Sequence, residues 1–89
     1  MPRQRKSEPL SIDHAALGRA IEARIDEIEC MSQDTVAREA GLSQRRVNEY
    51  VRGRGNPSFT SLLGVCKGLH LTFEEFVTRV EREKKRLLR

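Results

Sequence analysis

Between Ser32 and Arg52 the chain has room for two short helices and a three-residue turn, and for little else. Ser32 and Ser43 each precede a stretch with apolar residues at helical spacing, the place where a hydroxyl satisfies otherwise free helix amides. Val36, Ala37 and Ala40 fall on one side of Gln33–Ala40; Val47, Tyr50 and Val51 fall on one side of a second helix from Gln44 to about Arg52. Gly41 stands between them. Glycine ends a helix in the left-handed conformation without steric cost, and so turns the chain sharply. Ala37 is small where the second helix must cross close to the first. Val36, Ala40, Leu42, Val47 and Tyr50 fill the wedge between the two, and the spacing of Tyr50 from Val47 makes its ring core.

The flanking segments obey the same period. Leu17, Ile21, Ile25 and Ile28 recur at four, four and three residues and predict one face of an amphipathic helix, with Asp13 near its N-cap. After the glycine- and proline-rich loop RGRGNP, Ser58 caps a fourth helix with Leu62, Leu63, Val65, Cys66 and Leu69 as its apolar positions. Thr72 and Glu75 form a capping box that opens a fifth, carrying Phe73, Phe76, Val77 and Val80. No stretch longer than three residues reads as a strand. The expectation is an all-α domain of five helices over residues 11–80. It is preceded by a disordered basic arm over 1–10 and followed by a basic helical extension over 81–89.

Composition bounds the function. In 89 residues, 37% hydrophobic side chains can build one small core, and no run approaches the ~18 apolar residues a membrane helix needs. No apolar stretch follows Arg3, Arg5 and Lys6, so no secretory leader is expected. Two cysteines, Cys30 and Cys66, read as reduced thiols rather than a disulfide framework, and no metal or cofactor site is expected. The net charge of +4 is unevenly spread: residues 10–31 carry −3, residues 32–58 carry +2 and residues 79–89 carry +4. An enzyme is not expected. Asp26, Glu27 and Glu29 read as a solvated helix face, and His14 and His70 have no evident partners.

The paired helices match a helix-turn-helix unit. Residues 17–76 as a whole resemble the phage repressor and Cro-type (XRE-like) helix-turn-helix family. The resemblance runs through Gly18-Arg19-Ala20-Ile21, Ser32-Gln33, the Ala40–Ser43 turn, the loop Gly53-Arg54-Gly55-Asn56-Pro57-Ser58, and Leu71-Thr72-Phe73-Glu74-Glu75-Phe76, about two thirds of the chain. It implies a lambda-repressor-like fold and a cytoplasmic regulator, bacterial or phage-encoded, that binds double-stranded DNA. The third helix would enter the major groove, with Gln44, Arg45, Asn48 and Glu49 at base edges. Gln33, Ser43, Arg46, Arg52, Arg54 and Asn56 would meet phosphates. The basic arm, Arg3, Arg5 and Lys6, reads as a plain tail sooner than as a DNA contact.

The family's dimers imply a homodimer on a palindromic operator, with Phe76, Val80, Leu87 and Leu88 as its contacts. Three features depart from the family pattern. The loop at Glu29-Cys30-Met31 is one residue longer. Ile25 and Val51 stand where the family often has an Arg–Glu pair, so the two aliphatics are expected to touch. The chain also runs past the minimal domain at Arg79–Arg89. No separate effector domain is expected. An antitoxin-type or adaptor protein, binding a protein partner through the C-terminal tail as well as its operator, is the alternative reading.

Overall fold

The computed structural model describes residues 13–88; the basic arm and Arg89 lie outside them. Five helices follow in order: α1 (His14–Glu27), α2 (Gln33–Ala40), α3 (Gln44–Val51), α4 (Phe59–Gly68) and α5 (Phe73–Leu87), with no strand among the described residues. Every helix begins at a side-chain cap. Asp13 accepts the Ala16 amide, and Ser32, Ser43, Ser58 and Thr72 accept the amides three residues on. Each such cap contributes about 1 kcal/mol. Thr72 and Glu75 form the expected reciprocal box; Ser32 and Thr35 form a second.

Gly41 closes α2 at φ 72°, ψ 28°, and its amide bonds back to the Ala37 and Arg38 carbonyls. The first turn of the chain differs. Helix α1 stops at Glu27, and Ile28 is extended at φ −116°, so Ile28 leaves the stripe of Leu17, Ile21 and Ile25. Cys30, at φ 70°, then makes the turn that accommodates the longer loop.

The core gathers Ile21, Val36, Val47, Val65, Leu69 and Phe76, all essentially inaccessible, with Tyr50 beside them as its spacing requires. Burying each of these large side chains contributes about 1.5–3 kcal/mol. Cys66 joins the core, and burial pushes its thiol up to about 11. Close helix contact depends on missing side chains. A Cβ on Gly64 would meet the Ala40 carbonyl oxygen at 2.8 Å, and one on Gly68 would meet that of Val36 at 2.8 Å. These glycines are one turn apart on α4, and they let α2 lie backbone-close upon it. At Gly18 the approach is tighter still, with the Val51 oxygen 2.3 Å from the Cβ position. Val51 therefore meets α1 at Gly18, two turns or about 10 Å along the helix from Ile25. Ile25 and Val51 both pack against the same core.

Two further expectations are corrected by packing. Leu63, expected on the apolar face of α4, is 43% exposed, because the wide face turned inward is taken by Leu62, Val65, Cys66 and Leu69. Phe76, expected at a dimer contact, is only 2% exposed; it plugs the core and presents no surface to a second molecule.

Charge also ties the fold together. Glu27, read as solvated, accepts from both terminal nitrogens of Arg79 (2.7 and 2.8 Å) and from Arg24 (3.1 Å). Arg24 in turn donates to the Leu69 and His70 carbonyls, supplying donors to the end of α4, where helix carbonyls lack partners. Hydrogen bonds from Arg79 first, then Arg24, hold the Glu27 carboxyl down at about 2, against an ordinary 4.5. A carboxyl with a depressed folded-state pKa stabilises the fold above its unfolded value and loses that stabilisation as pH falls through the folded one. Wild-type melting temperature should accordingly drop between pH 4.5 and 2. Glu27→Gln should melt lower at pH 7 and fall less steeply through that window. Parallel thermal melts of the two proteins check this, and identical slopes would remove Glu27 from the account.

Candidate nucleic-acid interface

The Ser43 cap and the αL turn at Gly41 place the first turn of α3 in solvent while Val47 and Tyr50 anchor its other side. Gln44, Arg45 and Arg46 stand exposed in that turn, with Asn48 and Glu49 half-buried one turn on. Arg52 is the C-cap of α3, and Arg54 and Asn56 are exposed in the loop that follows. That loop is held by the buried Pro57, by the bond from the Arg54 amide to the Glu49 carbonyl (2.8 Å), and by Gly55 lying against the Tyr50 ring. The residues singled out on α3 and its two flanking loops are thus exposed or half-buried, none of them in the core.

Gln33, at the first position of α2, joins them directly. Asn48 Nδ2 donates to Gln33 Oε1 at 3.1 Å, across fifteen residues of sequence. This bond leaves the Gln33 amide nitrogen free to donate. It also leaves Asn48 with one N–H and its carbonyl oxygen, the donor–acceptor pair that matches an adenine edge. Ser43 Oγ is used as an acceptor by the Arg46 amide (3.1 Å), so its O–H is available outward.

Electrostatics divides the arginines. Arg38 is paired with Asp34 on α2 at 2.7 Å. Among the described residues, Arg45, Arg46, Arg52 and Arg54 make no ion pair, and the Glu49 carboxylate is bound to neither Arg45 nor Arg46. Four uncompensated guanidiniums on one small face create a positive field suited to a polyanion.

The sequence reading overlooked the Arg24–Glu27–Arg79 network and the glycine pair on α4. The glycine signal was visible as G-x-x-x-G at Gly64 and Gly68. The charge network had none, because Glu27 and Arg79 are 52 residues apart.

The sequence model of the helix-turn-helix family HTH_3 matches residues 31–76, just over half of the chain. No curated protein matches. Among solved structures, a mutant of the restriction-modification controller protein C.Esp1396I superposes with a TM-score of 0.75 at 21% identity, over 85% of this chain and 97% of that one. The restriction-modification controller protein C.AhdI from Aeromonas hydrophila gives 0.66 at 24% identity, over 74% and 98% of the two chains. The clp gene regulator ClgR from Corynebacterium glutamicum gives 0.74 at 20% identity, over 90% and 85%. At such identities the likeness is one of fold. With the matched family segment spanning α2 through the start of α5, the chain belongs to the XRE-type helix-turn-helix family of DNA-binding transcriptional regulators.

Proposed function

We propose that this regulator acts on specific double-stranded sites by laying α3 in the major groove, as a homodimer on a palindromic operator in the cytoplasm. The observation that carries the reading is the set of four exposed, unpaired arginines around α3, set beside the Gln33–Asn48 bond. Gln44, Arg45, Asn48 and Glu49 take the base edges: Gln and Asn suit adenine, Arg suits guanine, and Glu accepts from cytosine. Gln33, Ser43, Arg46, Arg52, Arg54 and Asn56 hold the phosphates, aided by the free first-turn amides of α2 and α3. The Gln33–Asn48 bond makes one residue's grip on the backbone set the position of another's reading head. The structural neighbours, regulators of restriction-modification and of the clp gene, are in keeping with such a role. No described helix is long and apolar enough to cross a membrane.

Site selection from random duplexes, followed by titration over a salt series, tests the proposal. Log affinity should fall linearly with log salt, with a slope of roughly −0.9 per phosphate neutralised. Failure to bind any duplex at low salt would end the reading.

The dimer surface follows from what stays exposed. Phe59, Leu63, Phe73 and Val77 lie on α4 and α5 at 37% to 63% exposure, with the two phenylalanine rings edge-on at 5.5 Å. They offer a second copy an apolar face that Phe76 cannot. Val80 flanks the core half-buried, and Leu87 and Leu88 are exposed at the far end of α5. Val77→Glu should leave the helical content intact and shift the mass measured by light scattering from dimer to monomer. A dimer that survives the substitution places the interface elsewhere.

A further inference from the structure

On the side of the molecule formed by α1, the α4–α5 turn and α5 lies a cleft of about 380 Å³. Nothing from α2, α3 or the loop between α3 and α4 lines it. Its walls bring together three guanidiniums, those of Arg24, Arg79 and Arg82, with the imidazole of His70. We propose that this cleft binds a small multivalent oxyanion of the phosphate class, such as the phosphoryl or pyrophosphoryl end of a metabolite.

Preorganisation is the first argument. Arg24 and Arg79 are not waving surface cations: their side chains are only 20% and 25% exposed, and each is fixed by Glu27. Arg24 is further pinned by the Leu69 and His70 carbonyls. A guanidinium already oriented loses little entropy when it takes up an anion, and its planar fork matches two phosphoryl oxygens at once.

Unused donors are the second. Three guanidiniums carry fifteen N–H groups. Among the described residues Arg24 uses three of them, Arg79 two and Arg82 none. Ten remain to meet a ligand.

The third is charge balance. Two carboxylates face the three arginines. Glu27 is spent on Arg24 and Arg79, and Glu75 accepts the Thr72 amide at 2.8 Å. The three guanidiniums exceed these two carboxylates by one charge, carried by Arg82, while Glu39 of α2 stands 3.7 Å from His70 Nε2. The remaining wall includes Thr78, whose hydroxyl proton goes to the Glu74 carbonyl, so the threonine does not add a donor. The volume lies within the range of about 300–1,000 Å³ usual for small-molecule sites.

Titration of the full-length protein with inorganic pyrophosphate, with sodium chloride holding the ionic strength constant, tests the assignment by calorimetry and thermal melting. The DNA-reading face also attracts phosphate, so the variants must tell the two faces apart. Arg82→Gln changes only the cleft, and Arg82 is exposed, so the fold should survive it. Arg46→Gln with Arg54→Gln changes only the opposite set. The expected result is saturable one-site binding that raises the melting temperature of the wild type and of the Arg46/Arg54 variant equally, and that weakens about tenfold or more in Arg82→Gln. Absence of saturable binding to the wild type overturns the proposal. So does binding that survives in Arg82→Gln and disappears in the Arg46/Arg54 variant. Loss of duplex affinity by the wild type would defeat the DNA reading and leave this one standing, because the two sites share no residue.

Discussion

Gly18→Ala is expected to destabilise the domain by about 3 kcal/mol, the upper end of what overpacking usually costs, and by more if the helices cannot part. A Cβ at this position would lie 2.3 Å from the Val51 oxygen, 2.6 Å from the Tyr50 oxygen and 2.8 Å from the Val51 carbonyl carbon. All three are backbone atoms at the end of α3, so no side-chain rotation relieves the clash. Either α1 or α3 must move, and both are locked by the core through Leu17, Ile21, Val47 and Tyr50. At about 4–8 °C per kcal/mol for a domain of this size, the melting temperature should fall by more than about 12 °C. Gly41→Ala is the informative comparison. It has no atom within 4 Å of its Cβ position, so only its left-handed backbone (φ 72°) is penalised, at about 1–2 kcal/mol. Chemical denaturation of the two variants should rank them clearly. A Gly18→Ala protein as stable as Gly41→Ala would mean that the α1–α3 contact is far softer than the packing indicates.

Arg45→Ala should cost about 1–3 kcal/mol in binding to the selected operator, or about 5- to 150-fold. The loss should be concentrated at one base pair. Arg45 is exposed in the first turn of α3, is bound to no carboxylate among the described residues, and so brings its whole fork to a guanine edge. Truncation should therefore let that position tolerate other bases while the salt slope changes by no more than about one phosphate's worth. Arg46→Ala should do the reverse, weakening all sequences alike and flattening the slope. Competition binding against operators changed one base pair at a time separates the two behaviours. A uniform loss from Arg45→Ala would reassign it to the backbone. Asn48→Ala should show a mixed pattern, because it also releases Gln33 from the 3.1 Å bond that steers it.

Much of this molecule is written in short-range chemistry, which is why it could be read along the chain. Ser32, Ser43, Ser58 and Thr72 mark helix starts because a hydroxyl and an amide three residues away need each other and nothing else. Gly41 marks the turn because positive φ is a property of one residue. The inward set Val36, Ala37, Val47 and Tyr50 followed from the 3.6-residue period alone. The exposed positions on α3 are simply what that period leaves over.

The failures share a cause, namely that they depend on which surfaces meet. Periodicity could show that Phe73, Phe76, Val77 and Val80 share a face, but not that Phe76 alone would reach the centre while Phe73 and Val77 stayed outside. That division is set by the angle at which α5 crosses α1 and α4. The close approach of α3 to α1 was decided by Gly18, whose missing Cβ lets the Val51 backbone lie against it. Glu27 looked like any surface carboxylate until α5 brought Arg79 to it across 52 residues. The sequence by itself determined where the helices begin, where α2 ends at Gly41, and which stretch forms the two-helix unit, because caps, turns and period act within a few residues. Only the tertiary structure decided which apolar residues are core and which stay exposed, how Gln33 and Asn48 come to be hydrogen-bonded, and where three arginines converge on one cleft. Those are contacts between segments far apart in the chain, and their energy exists only once the helices have packed.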